Sequence, residues 1–388
     1  MGRKKKVSNS LFATELKNRH PDFMLVICTI ILVFFGTIMA YSASASDFNS
    51  VGAEKSYFIK QFVFMIAGFI AMYIGYKFIN CRGFYGKLSV IIFLATLVTM
   101  FMIIPFGKEV NGAKRWIAIA NFQFQPVELF KIGVILGSAY YYKRLRSKMD
   151  KFLFYFVIPL AMAGVIALII FFTSSNLSSA LIAAFIVLFM GYVAARKRLI
   201  YNIGIIAAGL AVTIGKPIMG LLPLDGFRGG RIAAWINPEL YKSKESYQSL
   251  NGLYAIGSGG FFGKGLGNGS QKYIIPEAQN DMIFTVLCEE LGLFGMIMLL
   301  LVFFVLLYRI VTIAYMSDDF YEIMVCSGVI GHIAFQLILN IAVATMILPN
   351  TGVSLPFISY GGTALLATMA ELGLVLSVSA RETGDTDT

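Results

Sequence analysis

The sequence predicts an all-α polytopic membrane protein of about ten transmembrane helices, on three observations. Apolar runs long enough to cross a hydrocarbon core of about 30 Å recur along the whole chain. Of the 388 residues 58% are hydrophobic and only 14% charged, against roughly 25% charged in soluble domains, and the mean hydropathy is +0.76. Lys and Arg alternate between successive loops in the manner that orients membrane spans. So little polar surface cannot wrap a water-soluble core of this size, and lipid must be the solvent.

The runs fall at 23–42, 58–79, 84–105, 126–142, 152–172, 178–194, 199–221, 282–308, 320–346 and 356–380. The first is too long for a signal-peptide core, lacks a small-residue cleavage site and is followed by further spans, so it is expected to stay in the protein. With the amino terminus inside, the cytoplasmic segments hold nineteen of the 32 Lys and Arg and the short exterior loops five, as the positive-inside bias requires. Six more lie in a loop at 222–281, long enough to be largely exempt from the rule. The expected organisation is a basic cytoplasmic tail (1–22), a ten-helix membrane domain (23–380) with its large exterior loop at 222–281, and a cytoplasmic tail (381–388). The formal net charge of +11 then reflects topology and contact with anionic membrane lipids. No nucleic-acid-binding motif is present, and no nucleic-acid partner is expected. Cys28, Cys81, Cys288 and Cys326 show no paired or metal-type spacing and read as packing residues.

Function is sought where polar residues stand against the cost of burial or in exterior loops. Four places qualify. The first is Gly112-Ala113-Lys114-Arg115-Trp116-Ile117 followed by Gln125-Pro126-Val127-Glu128-Leu129-Phe130-Lys131. Pro126 suits a first helical turn, and Glu128 and Lys131, three apart, can meet on one face. Alone this reads as a structural ion pair beneath an interfacial tryptophan. The second is Gly257 to Gly269, seven glycines in thirteen residues. Such a run permits close approach of backbone amides to an anion or a sugar, or serves as a flexible linker. The third is Pro276-Glu277-Ala278-Gln279-Asn280-Asp281-Met282-Ile283-Phe284, with Glu289 and Glu290 beyond. Asp281 at a helix start is ordinarily an N-cap; at the membrane surface beside basic residues it is also a candidate base or ligand. The fourth is Leu348 to Thr363, broken by proline and glycine. It is expected to line a cavity or to form a tight packing turn, with Ser359 and Gly361 as structural support. His332, Gln336 and Asn340 recur on one face of the ninth span and read as polar glue between helices.

At these four places together the sequence resembles the SEDS family, the cell-wall proteins FtsW, RodA and SpoVE. The matching stretches are Lys114 to Ile117 with Gln125 to Lys131, Gln248 to Gly269, Pro276 to Leu293, and Pro349 to Gly362; Tyr41-Ser42-Ala43-Ser44 looks like the FtsW and SpoVE side. The resemblance implies a peptidoglycan glycosyltransferase in the bacterial cytoplasmic membrane. It would polymerise lipid II at the outer face during division or sporulation, in complex with a class B penicillin-binding transpeptidase and other divisome or elongation proteins. It also implies importance for Trp116 and Asp281. Two departures stand out: Asn280-Asp281-Met282-Ile283-Phe284 where the family usually reads Thr-Asp-Phe-Ile-Phe, and Asn176-Leu177-Ser178 where it often has Asp-Leu-Gly.

Joining a sugar hydroxyl to an anomeric carbon with inversion, and with a lipid diphosphate as leaving group, needs one base and an anion clamp. Asp281 is the candidate base. Lys114, Arg115, Arg228, Arg231, Lys264 and Lys272 are candidates to bind the diphosphate, Trp116 to pack a sugar or isoprenoid, and Glu277 to support the site; Glu128 and Lys131 are expected to hold the Trp116 loop. A divalent cation, Mg or Mn, is compatible with this chemistry, but no ligand cluster demands one, so the cofactor stays open and no metal ligand is assigned. The runner-up reading is a flippase for the lipid-linked precursor, and a third is a scaffold that only docks the transpeptidase.

Overall fold

The structure, a computed structural model, describes residues 21–44, 53–78, 85–110, 113–119, 122–219, 226–241 and 246–380. Each of the ten predicted runs contains a helix among the described residues. They are α1 (Phe23–Ser44), α2 (Ala53–Phe78), α3 (Tyr85–Phe101, with a further turn at Ile103–Phe106), α4 (Pro126–Arg144), α5 (Ile158–Ser174), α6 (Leu177–Ala194) and α7 (Leu199–Met219). After α8 (Gly226–Ile236) and α9 (Tyr247–Ser258) come α10 (Ile283–Met316), α11 (Phe320–Ala344) and α12 (Gly362–Ser379). Among the described residues eight are long and apolar enough to cross a membrane. The other two of the ten are α4, which carries buried Glu128 and Lys131, and α7, whose apolar stretch is Leu199–Ala211.

The expected cytoplasmic tails lie outside the described residues except Pro21 and Asp22. Asp22 belongs to the folded body: its carboxylate accepts from Leu25 N at 2.8 Å and is paired with the Arg309 guanidinium, while its own amide donates to Ser379 Oγ at 3.0 Å. The buried ion pair thus ties the start of α1 to α10 and the amide hydrogen bond ties it to the end of α12, so both ends of the described chain reach the same face. α11 and α12 form the centre of the bundle. α2 lies tightly along α12, since a Cβ on Gly373 would strike the Met72 carbonyl, the close approach that small residues allow between membrane helices.

Four features depart from the expected plan. The segment after α3, expected outside, is an antiparallel sheet, β1 (Gly107–Val110), β2 (Ala113–Ile119) and β3 (Phe122–Phe124), with Trp116 opposite Lys108 and Ile117 opposite Phe124. The long loop at 222–281 contains α8 and α9. The predicted last span loses its first six residues to a non-helical turn, because Pro356 and the left-handed Phe357 (φ 63°) break the run before Gly362.

The eighth span is also broken, at Gly292 (φ 65°, ψ −165°), a backbone conformation that only glycine adopts readily. The break leaves helix-end carbonyls and amides without partners inside the protein, and the glycine-rich run supplies them. Lys264 N donates to Glu289 O at 3.0 Å and Gly265 N to Glu290 O at 2.9 Å, while Leu293 N and Phe294 N donate to Gly260 O and Phe261 O at 3.0 and 2.9 Å. The run is therefore a splint across a broken membrane helix. A Cβ at Gly263 (φ 78°) would collide with the Glu290 carbonyl. Gly263→Ala is expected to destabilise the protein by about 1–3 kcal/mol from the backbone conformation, plus the displaced carbonyl; thermal unfolding against a Gly257→Ala control, at a helical glycine whose Cβ meets open space, checks it.

Candidate active site

Asp281 sits one residue before the α10 N-cap, which is Met282 and has no side-chain cap. The ordinary explanation for a carboxylate at a helix start thus does not apply here. Its partners come from three separated segments. Gln248 of α9 donates from Nε2 to Asp281 Oδ1 at 3.3 Å and to Pro276 O at 2.9 Å. Asn350, in the turn after α11, donates in turn to Gln248 Oε1 at 2.9 Å. Asn340 of α11 holds the Asp281 carbonyl at 2.9 Å and the Val353 carbonyl at 2.7 Å. The side chain is half-buried with its carboxylate directed toward Gly352.

Desolvation pushes the Asp281 carboxyl up to about 6, with the nearby Glu277 charge adding to the rise and Arg231 and Gln248 opposing it. A base that must be ionised to act is lost as pH falls through its pKa. The polymerisation rate is therefore expected to fall about tenfold per pH unit below roughly pH 6 and to level off above it, read from initial rates between pH 4.5 and 8.

Around Asp281 the predicted residues separate into two groups. Arg231 on α8 is exposed, donates to Asn350 O at 3.4 Å and lies near enough to act on the Asp281 charge. Arg228 shares that helix, but its side chain lies outside the described residues. Glu277, at φ 52°, accepts from Asn280 Nδ2 at 2.8 Å and braces the turn that leads to Asp281. Arg115 on β2 donates to Ser175 O at 3.4 Å, and three residues on Ser178 Oγ donates to Thr351 O at 2.6 Å. The sheet with exposed Lys114 and half-buried Trp116 is thus joined through the α5–α6 turn to the Asn350–Gly352 wall. Asn176, where a family aspartate is often found, caps α6 by accepting from Ser179 N at 3.1 Å. Ser359 Oγ accepts from Leu355 N at 2.7 Å, and Gly361 is the N-cap of α12, so both support the broken turn.

The second group points elsewhere. Lys264 is bound to Glu289 Oε1 at 2.6 Å and Lys272 to Glu290 Oε1 at 2.8 Å. The Lys272 side chain is 1% exposed and is held also by Gly267 O and by Ser42, whose hydroxyl donates to Glu290. Their charge is neutralised inside the splint, which removes Lys272 and weakens Lys264 as diphosphate ligands. The Glu128–Lys131 pair forms as the spacing predicts, at 2.7 Å. Rather than bracing the Trp116 loop it turns inward: Lys131 Nζ lies 3.0 Å from His332 Nε2 and donates to Gln336 Oε1, and His332 Nδ1 lies 2.7 Å from Glu371. Gln336 also donates to Ser354 O at 3.0 Å. The His332, Gln336 and Asn340 stripe is the interhelical glue expected of it.

Sequence reasoning gave neither Gln248 nor Asn350 a role, although Gln248 opens one of the family-like stretches and Asn350 lies within another. Glu371, a lone carboxylate in an apolar run, also carried a signal.

The family model of the cell cycle proteins FtsW, RodA and SpoVE matches residues 22–384. The chain belongs to this family. Among its relatives, the stage V sporulation protein E of Bacillus subtilis is 34% identical over 94% of this chain and 98% of its own. A probable peptidoglycan glycosyltransferase FtsW of Trichlorobacter lovleyi is 32% identical over 92% and 93%. Among solved structures, a chain from a peptidoglycan synthase complex that coordinates polymerization and crosslinking superposes with a TM-score of 0.75, at 26% identity over 94% of this chain and 99% of that one. The rod shape determining protein RodA of Thermus thermophilus gives 0.67 at 25% identity, over 94% and 98%. Membership of the FtsW, RodA and SpoVE family agrees with the apolar helices of a multi-pass cytoplasmic membrane protein.

Proposed function

We propose that this chain is a peptidoglycan glycosyltransferase that polymerises lipid II at the outer face of the cytoplasmic membrane, with Asp281 as its base. The activity agrees with the names of its FtsW relatives, and a role in division or sporulation with FtsW and the sporulation protein together. The observation that carries the residue assignment is the Asp281 carboxylate, held uncapped at the mouth of a broken helix by Gln248 and the Asn340-anchored backbone.

In the reaction, Asp281 takes the proton of the acceptor sugar hydroxyl. The oxygen attacks the donor anomeric carbon from the face opposite the diphosphate, a glycosidic bond forms with inversion, and the carbon–oxygen bond to phosphate breaks. The departing lipid diphosphate carries the negative charge and is met by Arg231 and Arg228 on α8, with Arg115 and Lys114 across the sheet; guanidinium forks match phosphate oxygens in pairs. Trp116 packs a sugar face or the isoprenoid at the interface. A divalent cation, if bound, would be held by Asp281 and Glu277, the carboxylates of this face, and would supply positive charge to the departing diphosphate; among the described residues no cluster of three or more His, Cys, Asp or Glu is set to hold a metal. The partner is a class B penicillin-binding transpeptidase, in keeping with the likeness to a chain of a synthase complex.

The test supplies labelled lipid II to the purified chain, alone and with its transpeptidase, and resolves products on a gel. Glycan ladders support the glycosyltransferase. Movement of lipid II across vesicles without ladders would replace it by the flippase.

A further inference from the structure

On the face where α4 and α6 end and α11 begins, the structure holds a cavity of about 480 Å³ lined by Arg146, Arg196 and Arg198 with Phe320 and a floor of Met149 and Val193–Ala195. We propose that this cavity binds the phosphate headgroup of an anionic diacyl phospholipid from the inner leaflet. The charge bias assigns this face to the cytoplasm, where anionic headgroups attract basic pockets between helices.

The arginines are arranged for this. The Arg146 guanidinium lies 4.5 Å from the centre of the Phe320 ring and that of Arg198 5.1 Å from the Tyr192 ring. A guanidinium held over an aromatic face by cation–π attraction keeps N–H groups able to fork onto phosphate oxygens. Arg196 is the one arginine of the three with an ion pair described, NH1 to Asp150 Oδ2 at 3.0 Å, and that pair is largely exposed. The floor is apolar: Met149, Ala194 and Ala195 are buried. Phe152 and Leu153, in the helical turn that leads into α5, and Leu199 and Ile203, at the start of α7, are exposed large side chains along which acyl chains can run. A headgroup seated here with its tails beside α5 and α7 satisfies both surfaces. A soluble anion would satisfy only the first.

The test is thermal unfolding of the full detergent-purified chain titrated with dihexanoyl phosphatidylglycerol, dihexanoyl phosphatidylcholine or inorganic phosphate. Phosphatidylglycerol is expected to raise the midpoint saturably, while the other two leave it within error. The variant Arg146→Gln/Arg196→Gln/Arg198→Gln should lose that rise, and Lys148→Gln/Lys151→Gln/Lys197→Gln, which removes equal charge from the same face, should keep it. Arg146→Lys/Arg198→Lys keeps the charge without the fork and should weaken binding at least tenfold; it decides the matter if the triple arginine variant does not fold. Equal rises with phosphate or phosphatidylcholine, or equal loss in the lysine variant, would overturn the proposal.

Discussion

Asp281→Asn is expected to lower the rate of glycan polymerisation by about 10²–10⁴-fold, the contribution of a positioned general base, while leaving the protein folded. Asparagine keeps the shape and can still accept from Gln248 at Oδ1, and the Asp281 backbone carbonyl held by Asn340 is untouched. The stability consequence has a definite sign. Burial raises the native pKa from 3.8 to about 6, so the folded state binds the proton more tightly than the unfolded chain does. That contribution is fully present below the unfolded value and is lost as pH rises through about 6. A side chain that never ionises escapes the loss, so at pH 8 the Asn variant should unfold at or above the wild-type temperature, with the gap closing toward pH 4. Activity lost with stability kept or gained identifies a functional carboxylate; a variant retaining more than a tenth of the rate would remove Asp281 from the base role.

Glu290→Gln should cost about 3–5 kcal/mol of stability, because removing one member of a buried pair strands the other charge. Both side chains are almost fully buried, at 0% and 1% exposure, and the Lys272 ammonium would keep the Gly267 carbonyl, the Ser42 hydroxyl and a neutral amide oxygen as partners but lose its counter-charge. The damage should spread toward the site. Ser270 N and Gln271 N are anchored on the neighbouring Glu289 carboxylate, each at 3.0 Å, and this stretch leads directly to Glu277 and Asp281. Lys272→Met/Glu290→Leu, which replaces both charges by apolar groups, should recover most of the lost stability, since apolar replacement of a whole buried pair is often neutral. Unfolding midpoints of the single and double variants in detergent measure this. If the single variant unfolds like wild type, the pair is not holding the splint.

The span positions and the family motifs were legible in the chain because they follow from local rules. Lipid forces each apolar run into a helix that satisfies its own backbone. Three-residue spacing alone was enough to pair Glu128 with Lys131. The electrostatic surroundings were not legible, since they arise where distant segments meet. Lys272 and Glu290 are 18 residues apart, and they meet only because Gly292 breaks the helix and the glycine run folds back across it. Without that arrangement Lys264 and Lys272 read as free cations for a diphosphate; within it they are spent on Glu289 and Glu290. Likewise an aspartate before a helix has the sequence of an N-cap. Its raised pKa depends on burial and on Glu277, opposed by Gln248 and Arg231, which lie 33 and 50 positions earlier in the chain. Periodicity and charge are local properties and fix where the helices run. Desolvation and pairing are properties of packing, and only the tertiary structure decides which charges remain available for chemistry.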